Sequence, residues 1–148
     1  MDKIFIYYSL TGNGDYVSLE MEKKGYVLRK VEEKKKMPKT FFFRILAGGF
    51  RAGVGAKAKL VDFNNDISIF SDVVIGSPVW NGRFPPVINS VLSEINLEDK
   101  NLTFLFYSGS GTIPKVNKKI EKLYPTAKVI VLKEPQTHPD ELSKISEI

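Results

Sequence analysis

Three short stretches carry the residue types that could hold a ligand. They are Ser9-Leu10-Thr11-Gly12-Asn13-Gly14, Gly76-Ser77-Pro78-Val79-Trp80-Asn81-Gly82 and Ser108-Gly109-Ser110-Gly111. The first follows an apolar run at the start of the chain and crowds hydroxyls and glycines into six positions. That composition suits an anion. Glycines let the backbone curl until successive N–H groups point inward, and Ser or Thr hydroxyls add donors without a counter-charge. If a helix begins there, the positive end of its dipole adds to the attraction. Asp15 is the awkward member, a carboxylate beside an anion, and must turn away or cap the helix.

Several other chemistries fail on particular residues. There is no Cys, which removes disulfides, thiolate catalysis and cysteine-ligated metals. The one histidine, His138 beside Pro139, cannot build a His-rich metal site or a Ser-His-acid set and reads as a solvated loop residue. A phosphate loop of the G-x-x-x-x-G-K-[ST] type needs a Lys that "SLTGNGD" lacks, and "GNGDYV" supplies only the first two glycines of G-x-G-x-x-G. A receiver domain would need acidic residues where Tyr8-Ser9 and Ser77 stand. The chain has a formal charge of +5, and Arg29 to Lys39 holds six of the 22 Lys and Arg. Glu32 and Glu33 interrupt this run and no aromatic ladder accompanies it, so it reads as a solvated connection, with no nucleic acid expected.

The elements that must position the three stretches follow from periodicity. Four runs are apolar nearly throughout: "KIFIYY" (3–8), "SDVVIGSP" (71–78), "LTFLFYS" (102–108) and "KVIVL" (128–132). Strands apolar on both sides are buried on both faces, as in a parallel sheet covered by helices. A fifth run, "GYVLRKV" (25–31), is mixed and suits an edge strand. Residues 84–96 carry a helical stripe of Val87, Val91 and Ile95 with Ile88 and Leu92 beside it, behind prolines that belong at a helix start. Val116, Ile120 and Tyr124 share a face over 112–124, and Phe42, Leu46 and Phe50 over 40–53. In 14–24, Val17, Leu19 and Met21 alternate as in a strand, but a position between two parallel strands predicts a short helix.

The resulting β-α-β-α-β-α-β-α-β order predicts a doubly wound α/β sandwich. In such sheets ligands sit beyond the carboxyl ends of the strands, at the point where strand order reverses. The three polar stretches follow strands one, three and four, so they should converge there. At 148 residues a single domain, 1–148, is expected, long enough to bury about 70% of its unfolded surface. No apolar run approaches the ~20 residues of a membrane span, and Met1-Asp2-Lys3 leads into a short strand with no signal-peptide pattern. A cytoplasmic location is therefore expected.

These stretches give the chain a resemblance to short flavodoxin-like proteins. Ser9 to Gly14 is similar to that family's T/S-x-T-G-N-T phosphate loop, with Gly14 in place of the final hydroxyl residue. Gly76 to Gly82 is similar to its G-[ST]-P-x-W-x-G stretch, and Ser108 to Gly111 to its small-residue loop after the fourth strand. The resemblance implies a three-layer sandwich with a five-stranded parallel sheet of order 2-1-3-4-5 and FMN at the switch point. It implies that Ser9, Leu10, Thr11, Gly12, Asn13 and Gly14 hold the phosphate. Pro78, Val79, Trp80, Asn81 and Gly82, with Ser108, Gly109, Ser110 and Gly111, would then hold the flavin ring. Trp80 would cover the ring or belong to the core, and Arg83 would reach the ring's polar edge or face solvent. No side chain is expected to be catalytic. The implied role is electron transfer between redox proteins, with an acidic partner fitting the positive charge, in a monomer or weak homodimer. An NAD(P)H-dependent FMN reductase, or a module that binds only a partner, are the alternatives.

Overall fold

The computed structural model describes residues 2–34 and 57–148. The helix expected over 40–53, and the basic run beyond Lys34, lie outside these residues. Five parallel strands form one sheet: β1 Lys3–Tyr7, β2 Val27–Lys30, β3 Asp72–Pro78, β4 Asn101–Ser108 and β5 Lys128–Lys133. Their order is β2-β1-β3-β4-β5, as the resemblance implies. Ile4 pairs with Val27 on one side and Val73 on the other, and Ile75 pairs with Phe104, so the apolar runs lie in register across the centre. Strand β2 is half-exposed, as its mixed composition implies for an edge.

Side chains alternate between two cores. Ile4, Ile6, Val73, Ile75, Phe104 and Phe106 face one side. There they meet helix α2, Pro86–Glu94, and helix α3, Pro114–Leu123, through Val87, Ile88, Val91, Val116 and Ile120. Burying each such side chain contributes roughly 1.5–3 kcal/mol. Phe5, Tyr7, Val74, Leu105, Tyr107, Ile130 and Leu132 face the other side and meet helix α1, Asn13–Lys23, through Val17 and Met21. Helix α1 settles the ambiguity of residues 14–24. Gly14, Val17, Ser18 and Met21 are buried at helical spacing, whereas Leu19 points out to solvent.

A run of 3-10 turns, Pro139–Glu147, completes this second layer and was not expected from sequence. Leu142, Ile145 and Ile148 recur every third residue, the period that keeps one face of a 3-10 helix inward, and all three pack on the second core. Lys24 Nζ ties the layer together by donating to the Ile145 carbonyl at 2.9 Å.

Candidate functional site

The loop after β1 turns into α1 through Gly12, whose φ of +100° makes it the residue that ends the loop. The loop is organised by Ser9. Its Oγ accepts the N–H groups of Gly14 at 3.1 Å and Asp15 at 3.3 Å, taking two of the four donors a helix start leaves free. The backbone cradle expected from sequence is thus partly filled by the chain itself. The Ser9 hydroxyl hydrogen is still available to an incoming anion, so Ser9 relays the helix's positive end. The N–H groups of Gly12 and Asn13 have no partner among the described residues.

Gly14 owes its identity to Tyr107. A Cβ built at position 14 would lie 2.6 Å from Tyr107 Oη and 2.8 Å from Ser9 Cβ, closer than real Cβ atoms come. The phenol of Tyr107 reaches from β4 over the start of α1 and donates to the Tyr8 carbonyl. Complete burial holds that phenol well above its usual pKa, with Asp15 adding in the same direction, so it is a neutral donor at any physiological pH. The hydroxyl missing at position 14 is therefore replaced in space by one from another strand. Among the described residues, the new hydroxyl spends its proton within the fold.

Asp15 does turn away. Its Oδ1 pairs with Lys30 Nζ at 2.8 Å, toward β2, and the lysine's pKa is raised chiefly by that hydrogen bond. Beside it, buried Tyr8 donates to Glu33 Oε1 at 3.1 Å. Burial raises the Glu33 pKa, opposed by that bond, and burial followed by Glu33 raises that of Tyr8.

After β3 the chain makes a tight hairpin. Trp80 and Arg83 exchange N–H···O bonds of 3.0 Å in both directions, with Asn81 at φ +49° and Gly82 at φ +73° between them. Asn-Gly with both φ positive is the type I′ turn, so this pair is legible as turn chemistry. Asn81 and Arg83 point outward, and Gly82 packs against the Lys115 side chain. Trp80 is 4% exposed and sits in the first core, edge-on to Tyr8 at 5.8 Å between ring centroids. It is a core residue whose remaining surface lines the site.

After β4, Ser108 is buried and its hydroxyl donates to the Thr112 carbonyl at 3.2 Å, while Ser110 Oγ does the same at 3.2 Å. Gly111, at φ +76°, packs on Lys133. These residues shape the loop, and Gly109 alone of the four reaches the site.

The site is a cleft of about 330 Å³ at the carboxyl ends of the strands, within the ~300–1,000 Å³ usual for small-molecule sites. It brings together Leu10, Thr11 and Asn13, then Pro78, Val79 and Trp80, and then Gly109. Ser9, Gly12, Gly14, Asn81, Gly82, Ser108, Ser110 and Gly111 do not line it, and Ser9 instead lines, with Leu10, Asp15 and Lys30, a second cleft of about 350 Å³. Tyr107, Glu134, Gln136 and Thr137 line the first cleft without having been expected. The last three lie in the loop after β5, whose only sequence signal is its place after a strand. His138, expected to be solvated, is half-buried, with Nδ1 enclosed and without a partner among the described residues. A larger cleft of about 420 Å³ lies at the opposite, amino end of the strands, near Lys3, Tyr26 and Lys128. It contains none of the three stretches, and the switch-point rule favours the smaller one.

The donor set suits a phosphate monoester attached to a flat, largely apolar group. Free N–H groups and hydroxyls gather at one end, and Pro78, Val79 and Trp80 form an apolar wall at the other. No family model matches the sequence, and no curated protein matches it significantly. Solved structures do match. A candidate flavoprotein from Bacteroides eggerthii superposes with a TM-score of 0.73 at 18% identity, over 88% of this chain and 86% of that one. A second, from Bacteroides uniformis, gives 0.72 at 16% identity, over 98% and 97%. A flavoprotein from Lactobacillus acidophilus, solved in complex with FMN, gives 0.61 at 19% identity, over 96% and 98%. With the sheet order, the two-layer helix arrangement and these superpositions together, the chain has the flavodoxin-like α/β fold.

Proposed function

We propose that the chain is an FMN-binding electron-transfer protein. The observation that carries this reading is the meeting, in one cleft at the switch point, of the α1 start (Leu10, Thr11, Asn13), the Pro78–Trp80 wall and Gly109. The flavodoxin-like fold, and a neighbour of that fold solved with FMN, support it. Bound FMN would supply the redox chemistry, accepting and releasing electrons. The chain's own residues bind and orient. Ser9 and Thr11 hydroxyls and the Gly12 and Asn13 N–H groups would take the phosphate, while Val79 and Trp80 would shield one end of the ring from water. The Asp15–Lys30 pair keeps the nearest carboxylate turned from the phosphate.

For the partner we propose an acidic redox protein. Lys115, packed on Gly82, and Lys133, packed on Gly111, sit beside the loops that follow β3 and β4 and offer positive charge at the cleft's rim. Rim charges of this kind act mainly on association rate and salt dependence. A cytoplasmic location fits a carrier of this kind, and among the described residues no helix is long and apolar enough to cross a membrane.

Flavin fluorescence quenching tests the reading. FMN should bind near one to one and more tightly than riboflavin, and Thr11→Asp should weaken FMN while leaving riboflavin nearly untouched. Equal affinity for the two flavins would remove the phosphate assignment. Sustained NAD(P)H oxidation with a small acceptor would replace the carrier by a reductase.

A further inference from the structure

The loop after β5 reaches across the sheet to the start of α1. The Gln136 N–H donates to Asn13 Oδ1 at 3.1 Å, joining residues that are 123 positions apart. The side chain of Gln136 follows the same path. A Cβ at Gly12 would meet Gln136 Oε1 at 3.1 Å and Nε2 at 3.4 Å, so the amide lies on the face of the cradle that Gly12 leaves bare. We propose that Gln136 is a phosphate-contacting residue, a neutral donor that the loop after β5 brings to the α1 cradle.

Two features support the proposal, which rests on the FMN reading above. First, no Lys or Arg lines the cleft among the described residues, and Glu134 adds a carboxylate. Among the described residues a dianion there would meet neutral donors alone, so each one counts. Second, the Gln136 amide needs only rotation about its last side-chain bond to exchange Oε1 for Nε2, which turns two N–H donors toward the cradle. The segment that carries it is fixed independently of the ligand. Thr137 and His138 N–H groups both donate to the Glu134 carbonyl at 2.9 Å, and Lys133 N–H donates to Glu141 Oε2 at 2.9 Å. Phosphate contact at Gln136 would therefore draw the turn before the 3-10 segment into ligand binding.

The test uses the full chain, titrated with FMN and with riboflavin, as wild type, Gln136→Ala and Gln136→Glu. Gln136 is exposed, so neither change should disturb folding. Gln136→Glu should weaken FMN by roughly tenfold or more, and Gln136→Ala by less, with riboflavin unchanged in both. Amide exchange at residues 136–138 should slow with FMN and not with riboflavin. Unchanged FMN affinity in both variants would overturn the proposal. So would tighter FMN binding by Gln136→Ala, since the amide would then be a plug competing with phosphate. Equal loss for both flavins would overturn it too, since the residue would then act on the ring or the fold. Wild type that prefers FMN, with both variants matching it on each flavin, sinks this proposal alone. Wild type that does not distinguish the two flavins sinks the FMN reading with it.

Discussion

Restoring a side chain at position 14 should harm this protein, although ordinary helix propensity says the opposite. Gly14 lies in the first turn of α1, where replacing Gly by Ala is worth up to about 1 kcal/mol in helix propensity. The added Cβ, however, would stand 2.6 Å from Tyr107 Oη and 3.0 Å from its Cζ. Tyr107 is not the loose end of a flexible chain. It is 4% exposed, packed in the second core, and its hydroxyl donates to the Tyr8 carbonyl. Making room means shifting the ring and breaking that bond. Overpacking of this kind costs roughly 1–3 kcal/mol, and a buried donor and acceptor left unmatched cost about 1–3 kcal/mol more. Set against the propensity gain, Gly14→Ala should lose about 2–4 kcal/mol and Gly14→Thr at least as much.

At 2–4 °C per kcal/mol for a chain near this size, calorimetry should register a fall in Tm on the order of 5–15 °C. Adding Tyr107→Val should relieve the clash, so the double variant Gly14→Thr, Tyr107→Val should lose less than the sum of the two single changes. Coupling of about 1 kcal/mol or more is expected for residues in such contact. A Tm that rises in Gly14→Ala, or strictly additive losses, would refute the reasoning that Tyr107 dictates glycine here.

Glu33 should make the protein less stable as pH rises. Its folded pKa is raised, chiefly by burial, so the native state holds the proton more tightly than the unfolded chain, and stability falls as pH climbs from the ordinary carboxylate range through the raised value. Glu33→Gln keeps an acceptor for Tyr8, so it should flatten that fall in urea titrations from pH 4 to pH 8; an unchanged slope would mean Glu33 is not its source. Gly82→Val should lower the Tm, since φ +73° strains any branched residue and a Cβ there would meet Lys115 Cδ at 2.8 Å, whereas Asn81→Gly should be tolerated because either residue suits a type I′ turn. Trp80 emission should be blue-shifted from its burial, and FMN should quench it if the ring reaches the part of Trp80 that lines the cleft.

What sequence made legible was whatever rests on local rules. Fully apolar runs mark the buried strands, and the Asn81-Gly82 pair marks its own turn. Switch-point topology brings Leu10, Thr11, Asn13, Pro78, Val79, Trp80 and Gly109 to one cleft. What escaped depends on pairs distant in sequence. Nothing near Gly14 announces that a tyrosine 93 positions later will fill its missing side chain. Nothing in "KEPQTHP" announces that Gln136 will lie on Gly12. The 3-10 segment lies between these cases. Its three-residue spacing of Leu142, Ile145 and Ile148 is visible, but it is too short a period to stand out where helices and strands are sought.

The chain's charge has an uneven source that bears on the acidic partner proposed above. Residues 35–56 contain five Lys and Arg and no acid, which equals the whole formal excess of +5. The described residues are therefore formally neutral, and the rim lysines at 115 and 133 are balanced by acids elsewhere in the same body. Long-range attraction of an acidic partner would then come mainly from the segment between Lys34 and Lys57, because a balanced distribution is screened within a Debye length of about 8 Å. Those flanking residues are held together beyond β2, where Lys34 N–H donates to the Lys59 carbonyl at 2.8 Å and Glu33 bridges Leu60. The consequence separates two contributions to docking. Replacing Lys35, Lys36 and Lys39 by Ser should slow association and strongly reduce its salt dependence, while Lys115→Ser should change both only slightly. If Lys115→Ser instead produced the larger change in salt dependence, the neutral-body argument would fail and the rim itself would be the steering surface.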